Sequence, residues 1–348
     1  MIDLTQGNIL EADAEALVNT VNCVGVMGKG IALQFKQRFP RNFEFYEREC
    51  KDGDVQPGRM SVFATGSMVN PKYIINFPTK RHWRGKSRIE DIESGLVDLI
   101  TQVKRLGIES IAVPPLGCGN GGLAWTEVRR VIQDAFAQVP DVRTILFEPR
   151  GAPAPDDMPV TTKRSVMTRA RAVIIKLIQR YGIPGYRLQM LEVQKLAYLL
   201  QIAGEDLKLE FVRHKYGPYA ENLNFLLQRI EGHFTRGYGD RSRDAQIYIL
   251  PEADIEADRF LADWPATTDR IKAVSRLIQG FETPYGMELL ATLCWVANEN
   301  TLPARDEDSA VAAVHEWSAR KRNLFKPEHI RLAWRRLGDQ GWLPVKPE

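Results

Sequence analysis

Two glycine-rich stretches and one basic stretch carry the residue types that could do chemistry. The first runs from Asn19 to Ala32 and holds Asn19, Asn22, Gly25, Gly28, Lys29, Gly30 and Ile31. The second runs from Val113 to Leu123 and holds Gly117, Cys118, Gly119, Asn120, Gly121 and Gly122. Each follows an apolar β-like run and precedes a plausible helix, from Gly30 and from Ala124. Glycine lets a ligand approach the backbone, and the first N–H groups of a helix favour an anion, so each stretch suits a phosphate. Two such loops in one domain point to a ligand with two phosphates. Plain tight turns are the simpler alternative for either loop alone.

The basic stretch is Lys80–Arg88, in which Lys80, Arg81, Arg84, Lys86 and Arg88 surround His82 and Trp83. Cations for phosphate and a ring for base stacking are what single-stranded nucleic acid requires, so Arg81, His82, Trp83, Arg84 and Lys86 are candidate DNA contacts. A solvated loop leading into a helix would look similar.

The elements that must position these residues alternate. Strands are expected at 1–5, 17–22, 59–65, 73–79, 110–115 and 144–148. Helices are expected from Gly30 to Pro40, near 41–50, over 88–106 and over 124–138. In the third of these, Ile89, Ile92, Leu96, Leu99, Ile100 and Val103 share one face. This alternation predicts an α/β domain, a mixed central sheet flanked by helices. Ligands of such sheets sit beyond the carboxyl ends of the strands, where both glycine loops and Lys80 fall. Other nucleotide motifs fit less well. No Ser or Thr follows Lys29, so a Walker loop is excluded. Gly117, Gly119 and Gly122 do satisfy G-x-G-x-x-G, with Glu148 as a ribose acid, but that leaves the first loop unexplained.

At 348 residues the chain has room for two domains. A Pro-rich stretch over 150–159 marks the break, giving domains of 1–152 and 153–348. The second domain reads as mostly α-helical, of α+β type. Helices are expected over 161–181, 190–200 and 220–230, with a break at 182–185. A strand is expected at 207–214, a flexible turn at 232–239 and another strand at 245–250. Three or four more helices should follow between Asp254 and Trp342. The net charge of +3 makes no global case for nucleic acid, so any such case is local. The four cysteines lack metal-ligand spacing, the histidines are scattered, and no metal or cofactor is expected. With no signal peptide and no spanning apolar run, the protein is expected in the cytoplasm.

Together, Asn8-Ile9, Asn19 and Asn22 before Gly28-Lys29-Gly30-Ile31, and the run Pro114–Leu123 resemble a macrodomain, the ADP-ribose-binding fold. The resemblance is closest to the terminal ADP-ribose glycohydrolase branch, and most specifically to DarG-type antitoxins. It implies adenine contacts from Asn8 and Ile9. It implies ADP-ribose contacts from Asn19, Asn22, Gly28, Lys29, Gly30, Ile31, Thr79 and the second loop, Gly117, Cys118, Gly119, Asn120, Gly121, Gly122 and Leu123. It implies a catalytic role for Lys80, matched in the block Asn76–Lys80. Near an anomeric carbon this lysine could attack after losing its proton, or stabilise charge on the leaving group. The chain departs from the human-type enzymes where their second loop carries an aspartate: here Gly121 stands. That departure favours electrostatic help over a complete nucleophile–acid pair.

The resemblance further implies removal of ADP-ribose from a DNA base, thymidine in single-stranded DNA, by hydrolysis of the N-glycosidic bond. Alternatives are a reader of ADP-ribose without catalysis, or a hydrolase of ADP-ribosyl esters on protein Glu or Asp. In the second domain, Gln194–Tyr198 and Lys215–Tyr219 resemble the SocA-like antitoxin domain, which implies a domain that binds a partner protein; the DarG-type resemblance implies that the partner is a DarT-type toxin. Two acidic patches could imitate phosphate toward that toxin: Glu252, Asp254, Glu256, Asp258 and Asp263, then Asp306, Glu307 and Asp308. Alternatively, Arg320, Lys321, Arg322, Lys326 and the helix over 331–336 could read DNA.

Overall fold

The computed structural model describes residues 1–149, 153–181, 186–242, 245–298 and 303–344. The domain boundary at 152/153 and the helix break at 182–185 lie outside them. The chain divides into two compact units, Met1–Lys163 with Gly239–Ser242, and Arg164–Tyr238 with Arg243–Glu348.

The first unit is built on six strands, β1 (Ile2–Thr5), β2 (Ala16–Asn22), β3 (Ser61–Ala64), β4 (Tyr73–Lys80), β5 (Ser110–Val113) and β6 (Arg143–Phe147). They lie in the order β1-β6-β5-β2-β4-β3. Only β3 runs antiparallel, against β4. The helices are α1 (Gly30–Arg38), α2 (Pro40–Asp52), α3 (Ile89–Leu106) and α4 (Trp125–Phe136). Pro40 therefore opens a helix as well as ending one, as its fixed φ and missing N–H allow. One face of the sheet packs on α3 and α4 through Val18, Phe77, Ile92, Leu99 and Ile132. The other face packs through Leu17, Phe35, Ile74 and Phe147.

This order sets the site. Strand β2 is central, with β5 on one side and β4 on the other. The chain leaves β2 toward β3 and leaves β5 toward β6, in opposite directions across the sheet, and the crevice at such a switch point is where sheets of this kind take ligands. The loops after β2, β4 and β5 are the two glycine loops and the Lys80 loop. The strand that ends at Lys80 is seated by Gly95 of α3, where a Cβ would lie 2.3 Å from the ring of Phe77.

The second unit is mostly helical, but five expectations change. The helix expected over 161–181 begins at Arg169. The strand expected over 207–214 shortens to Phe211–His214 and forms a hairpin with Gly217–Ala220, so the helix expected from 220 starts at Leu223. After residue 250 six helices are found among the described residues, not three or four. The turn expected at 232–239 holds a two-residue strand, Thr235–Arg236, paired with Gln246–Ile249. Among the described residues no helix is long and apolar enough to cross a membrane.

Candidate functional site

The three loops are tied together by backbone and amide contacts. Strands β2 and β4 keep parallel register from Ala16↔Tyr73 to Val21↔Pro78, and then Asn22 pairs with Lys80. The extra residue is Thr79, a bulge that turns Lys80 toward the crevice. Thr79 itself is buried, its Oγ1 donating to the Val21 carbonyl at 3.4 Å, so it shapes the strand end and has no surface for a ligand.

Lys80 is half-buried, and its ammonium donates to the carbonyl of Asn120 in the second glycine loop. Burial lowers its pKa below the ordinary lysine range, because the charged form loses solvation. The second loop also binds the basic loop, through Ser87 N donating to Gly121 O at 3.1 Å. The two glycine loops approach each other at Gly30, where a Cβ would lie 3.1 Å from Asn120 Nδ2. Gly30 has φ +63°, a conformation that favours glycine.

The absent acid has a steric cause. A Cβ on Gly121 would stand 2.2 Å from both Gly117 O and Ser87 Oγ. No side chain fits there, so this loop cannot carry the aspartate of the human-type pattern. Gly117 is similarly tight, with Leu123 Cδ1 at 2.8 Å from its notional Cβ and φ +70°. Cys118 is held as a neutral thiol. Burial pushes its thiol up to about 11, and that of Cys23 to about 11 as well.

Several expected ligand contacts are framework residues here. Asn19 is fully buried, and its Nδ2 donates to Asn76 Oδ1 at 2.9 Å. Asn42 and Asn76 exchange further bonds at 3.2 and 2.8 Å. This amide network lies beneath the first loop and has no surface for a ligand. Asn22 holds the loop's shape: its Oδ1 accepts from Val24 N at 3.0 Å and Val26 N at 3.3 Å, and Tyr46 OH donates to its carbonyl at 2.6 Å. Asn8 caps a short 3-10 turn through Leu10 N at 3.1 Å, while Ile9 is buried in the core. Gly117 and Gly121 are buried; Gly28, Gly30, Ile31, Cys118 and Leu123 are partly exposed; Lys29, Gly119, Asn120 and Gly122 are exposed. The first N–H of α1, on Gly30, donates to Asp240 O at 2.8 Å. Asn42, Asn76, Tyr46 and Ser87 were not among the expected site residues. The only trace of the amide network in the sequence is an asparagine inside each of two apolar strands.

The expected DNA loop is exposed and ordered by its own contacts. His82 and Trp83 stack with ring centroids 5.5 Å apart, and the Arg84 guanidinium lies 4.5 Å from the Trp83 ring. Trp83 is 40% exposed. Arg81 is different from its neighbours: it pairs with the buried Asp91 at the start of α3, at 3.0 Å. That bond raises its pKa and fixes the loop, so Arg81 is first an anchor. Among the described residues no group of three or more His, Cys, Asp or Glu could hold a metal ion.

In the second unit, the two resembling segments interlock. Lys195 Nζ donates to Pro218 O at 2.6 Å, and Gln194 exchanges two 2.9 Å bonds with the backbone of Ala220. The acidic patches are internally paired. Asp258 holds Lys176, Glu256 holds Arg164, Asp308 holds Arg331 and Glu307 holds Arg335. Arg320 and Lys321 both bind Glu288, at 2.6 and 2.7 Å. These pairs partly compensate the two acidic patches and the basic run, while among the described residues Asp254 meets only the neutral Gln179 amide.

A six-stranded mixed sheet with glycine loops and a lysine gathered at the ends of β2, β4 and β5 defines a macrodomain. Residues 18–132 match the Macro domain family. A DNA ADP-ribosyl glycohydrolase of Thermus aquaticus is 47% identical over 100% of this chain and 95% of its own length. A fusion of a DNA ADP-ribosyl transferase with a DNA ADP-ribosyl glycohydrolase, from Thermosipho africanus, is 35% identical over 36% of this chain and 37% of that one. The solved macrodomain of Mycobacterium tuberculosis DarG is 56% identical, covering 43% of this chain and 99% of that one, with a TM-score of 0.43. The chain belongs to the family of DNA ADP-ribosyl glycohydrolases, which are macrodomain hydrolases of the DarG type.

Proposed function

We propose that this protein removes ADP-ribose from thymidine in single-stranded DNA by hydrolysing the N-glycosidic bond. The observation that carries the reading is the placement of Lys80: a desolvated amine, re-aimed by a bulge, held against the second of two glycine loops and followed at once by a basic, aromatic loop. The partly exposed Gly28–Ile31 loop and the exposed Gly119, Asn120 and Gly122 of the second loop hold the diphosphate. Lys80 stands at the scissile bond, and the loop from Arg81 to Lys86 receives the strand.

Gly121 leaves no room for a loop acid, so Lys80 works as an ammonium. It stabilises the negative charge that develops on the departing base while water takes the sugar. Its lowered pKa sets the sign of the pH dependence. Activity needs the protonated amine, so it is present at neutral pH. It falls as pH rises through a value below that of ordinary lysine, about 10.4. The test is release of ADP-ribose from single-stranded DNA modified on thymidine, across pH, for wild type, Lys80→Arg and Lys80→Ala. The reading expects little release by Lys80→Ala with ADP-ribose binding kept, and partial rescue by arginine with the alkaline fall shifted upward. A rate that rises with pH through the lysine's titration, with no rescue by arginine, would refute the ammonium role and leave the amine as nucleophile.

The second unit is the toxin-binding domain, SocA-like in kind, and its partner is a DarT-type DNA ADP-ribosyltransferase. The support is the interlocked Gln194–Lys195 and Pro218–Ala220 contact, and the Thermosipho chain that joins a transferase to a glycohydrolase. Full-length Lys80→Ala should still block DNA modification by the purified toxin at stoichiometric ratio. An unblocked toxin would remove this part of the reading.

A further inference from the structure

We propose that a cleft beside the Lys80 loop is a subsite for one backbone phosphodiester of the substrate strand, next to the modified nucleotide. This rests on the DNA-directed reading above and specifies where the strand is held. The cleft has a volume of about 270 Å³ and is bounded by Arg81, His82, Lys86, Ser87, Arg88 and Asp91. Its charges are unequal. Arg81 and Asp91 cancel each other in a 3.0 Å ion pair. The side chains of Lys86 and Arg88 are exposed and have no hydrogen-bond or ion-pair partner among the described residues. Two cations therefore remain for an anion that the protein does not supply.

The surroundings point to the same ligand. Ser87 is only 8% exposed, and its Oγ has no hydrogen-bond partner. Helix α3 begins at the cleft with Arg88 as N-cap and no side-chain cap, so its first N–H groups are unmet there. The cleft also abuts the reacting centre without being part of it. Arg81 follows Lys80 in the chain, and Ser87 N is bonded to Gly121 O of the second glycine loop at 3.1 Å. The glycine loops account for the ADP-ribose diphosphate. An anion in this cleft therefore belongs to the other side of the scissile bond, which in DNA is the sugar–phosphate backbone. Trp83, five residues before Arg88 and 40% exposed, would stack a base of the same strand in exchange for its stack on His82.

The test compares wild type with Lys86→Gln/Arg88→Gln on three substrates. These are ADP-ribosylated thymidine nucleoside, an oligonucleotide modified on one thymidine, and that oligonucleotide with a single neutral methylphosphonate at each nearby linkage in turn. The discriminating number is the ratio of kcat/KM on the strand to kcat/KM on the nucleoside. It should fall about tenfold in the double variant, the scale of one charge-assisted contact. The salt slope on the strand should flatten by about 0.7, one phosphate's share for single-stranded DNA. One methylphosphonate position should reproduce the loss in wild type and add nothing further in the variant. An unchanged ratio, or equal effects at every linkage, overturns the proposal. If the nucleoside itself is cleaved as poorly as the strand by the variant, the two cations serve ADP-ribose and the proposal also fails. If wild type releases nothing from any substrate, the proposed reaction is wrong. Anisotropy with the unmodified oligonucleotide then decides the cleft by itself: tenfold weaker binding by the variant supports it, and equal binding overturns it.

Discussion

The second glycine loop offers a graded test of whether its glycines are there for space, for backbone conformation or for neither. At Gly121 an added Cβ would meet Gly117 O and Ser87 Oγ, each at 2.2 Å. One of these is backbone, so the loop must move. Overpacking of this kind costs about 1–3 kcal/mol. Moving the loop also breaks the Ser87–Gly121 hydrogen bond, worth about 1 kcal/mol. Gly121→Ala should therefore cost roughly 2–4 kcal/mol, or a fall in Tm of about 4–16 °C for a unit of this size. At Gly122 nothing lies within 4 Å of the added atom, but φ is +83°. There the cost is only conformational, about 1–2 kcal/mol. At Gly119 nothing lies within 4 Å and no left-handed φ applies, so Gly119→Ala should be close to neutral. Thermal unfolding of the three variants, with ADP-ribose titrated calorimetrically into each, measures the order. Gly121→Ala should also lose ligand affinity, because Lys80 is bonded to the residue before it. A Gly121→Ala protein as stable and as tight-binding as Gly119→Ala would refute both the steric account and the explanation of the missing aspartate.

Two further predictions concern buried polar groups. Asn76→Leu removes the centre of the Asn19–Asn42–Asn76 network and strands two buried amides. At about 1–3 kcal/mol for each, it should destabilise by roughly 2–6 kcal/mol in denaturant unfolding. A loss under 0.5 kcal/mol would show the network to be dispensable. In the second unit, burial and the neighbouring Lys321 push the Lys195 amine down to about 7. An unfolded lysine titrates near 10.4, so the folded protein holds fewer protons between these values and its stability rises with pH across that window. Lys195→Met should flatten that rise in a Tm-against-pH series; an unchanged profile would show that Lys195 stays charged when folded.

Much of the architecture was legible in the sequence because its signals are local. Apolar β-runs followed by glycine and a helical repeat marked β2, β5 and the loops after them. The amphipathic face of Ile89–Val103 marked α3. Less was legible where a residue's state depends on a neighbour far along the chain. The six helices after residue 250 read as fewer in sequence because several follow one another within one to five residues, as at 262–264, 279–283, 318 and 325–326. The stretch 161–168, free of glycine and proline, reads as helix, yet the helix begins at Arg169. In the acidic runs at 252–263 and 306–308, Glu256, Asp258, Glu307 and Asp308 look free until their partners Arg164, Lys176, Arg335 and Arg331 are placed.

The sequence by itself determined the composition of the site: two glycine loops, a strand-end lysine and a basic loop with a tryptophan. These are properties of residue type and order, which the chain carries whether or not it is folded. Tertiary structure decided which of them face a ligand. Strand pairing buries Asn19 against Asn76, 57 residues away, and turns Asn22 inward to brace its own loop. The bulge at Thr79 sets the direction of Lys80, and the approach of Ser87 to Gly121 removes the space for an acid. Exposure and clearance are relations between distant segments, and they do not exist until the sheet has brought those segments together.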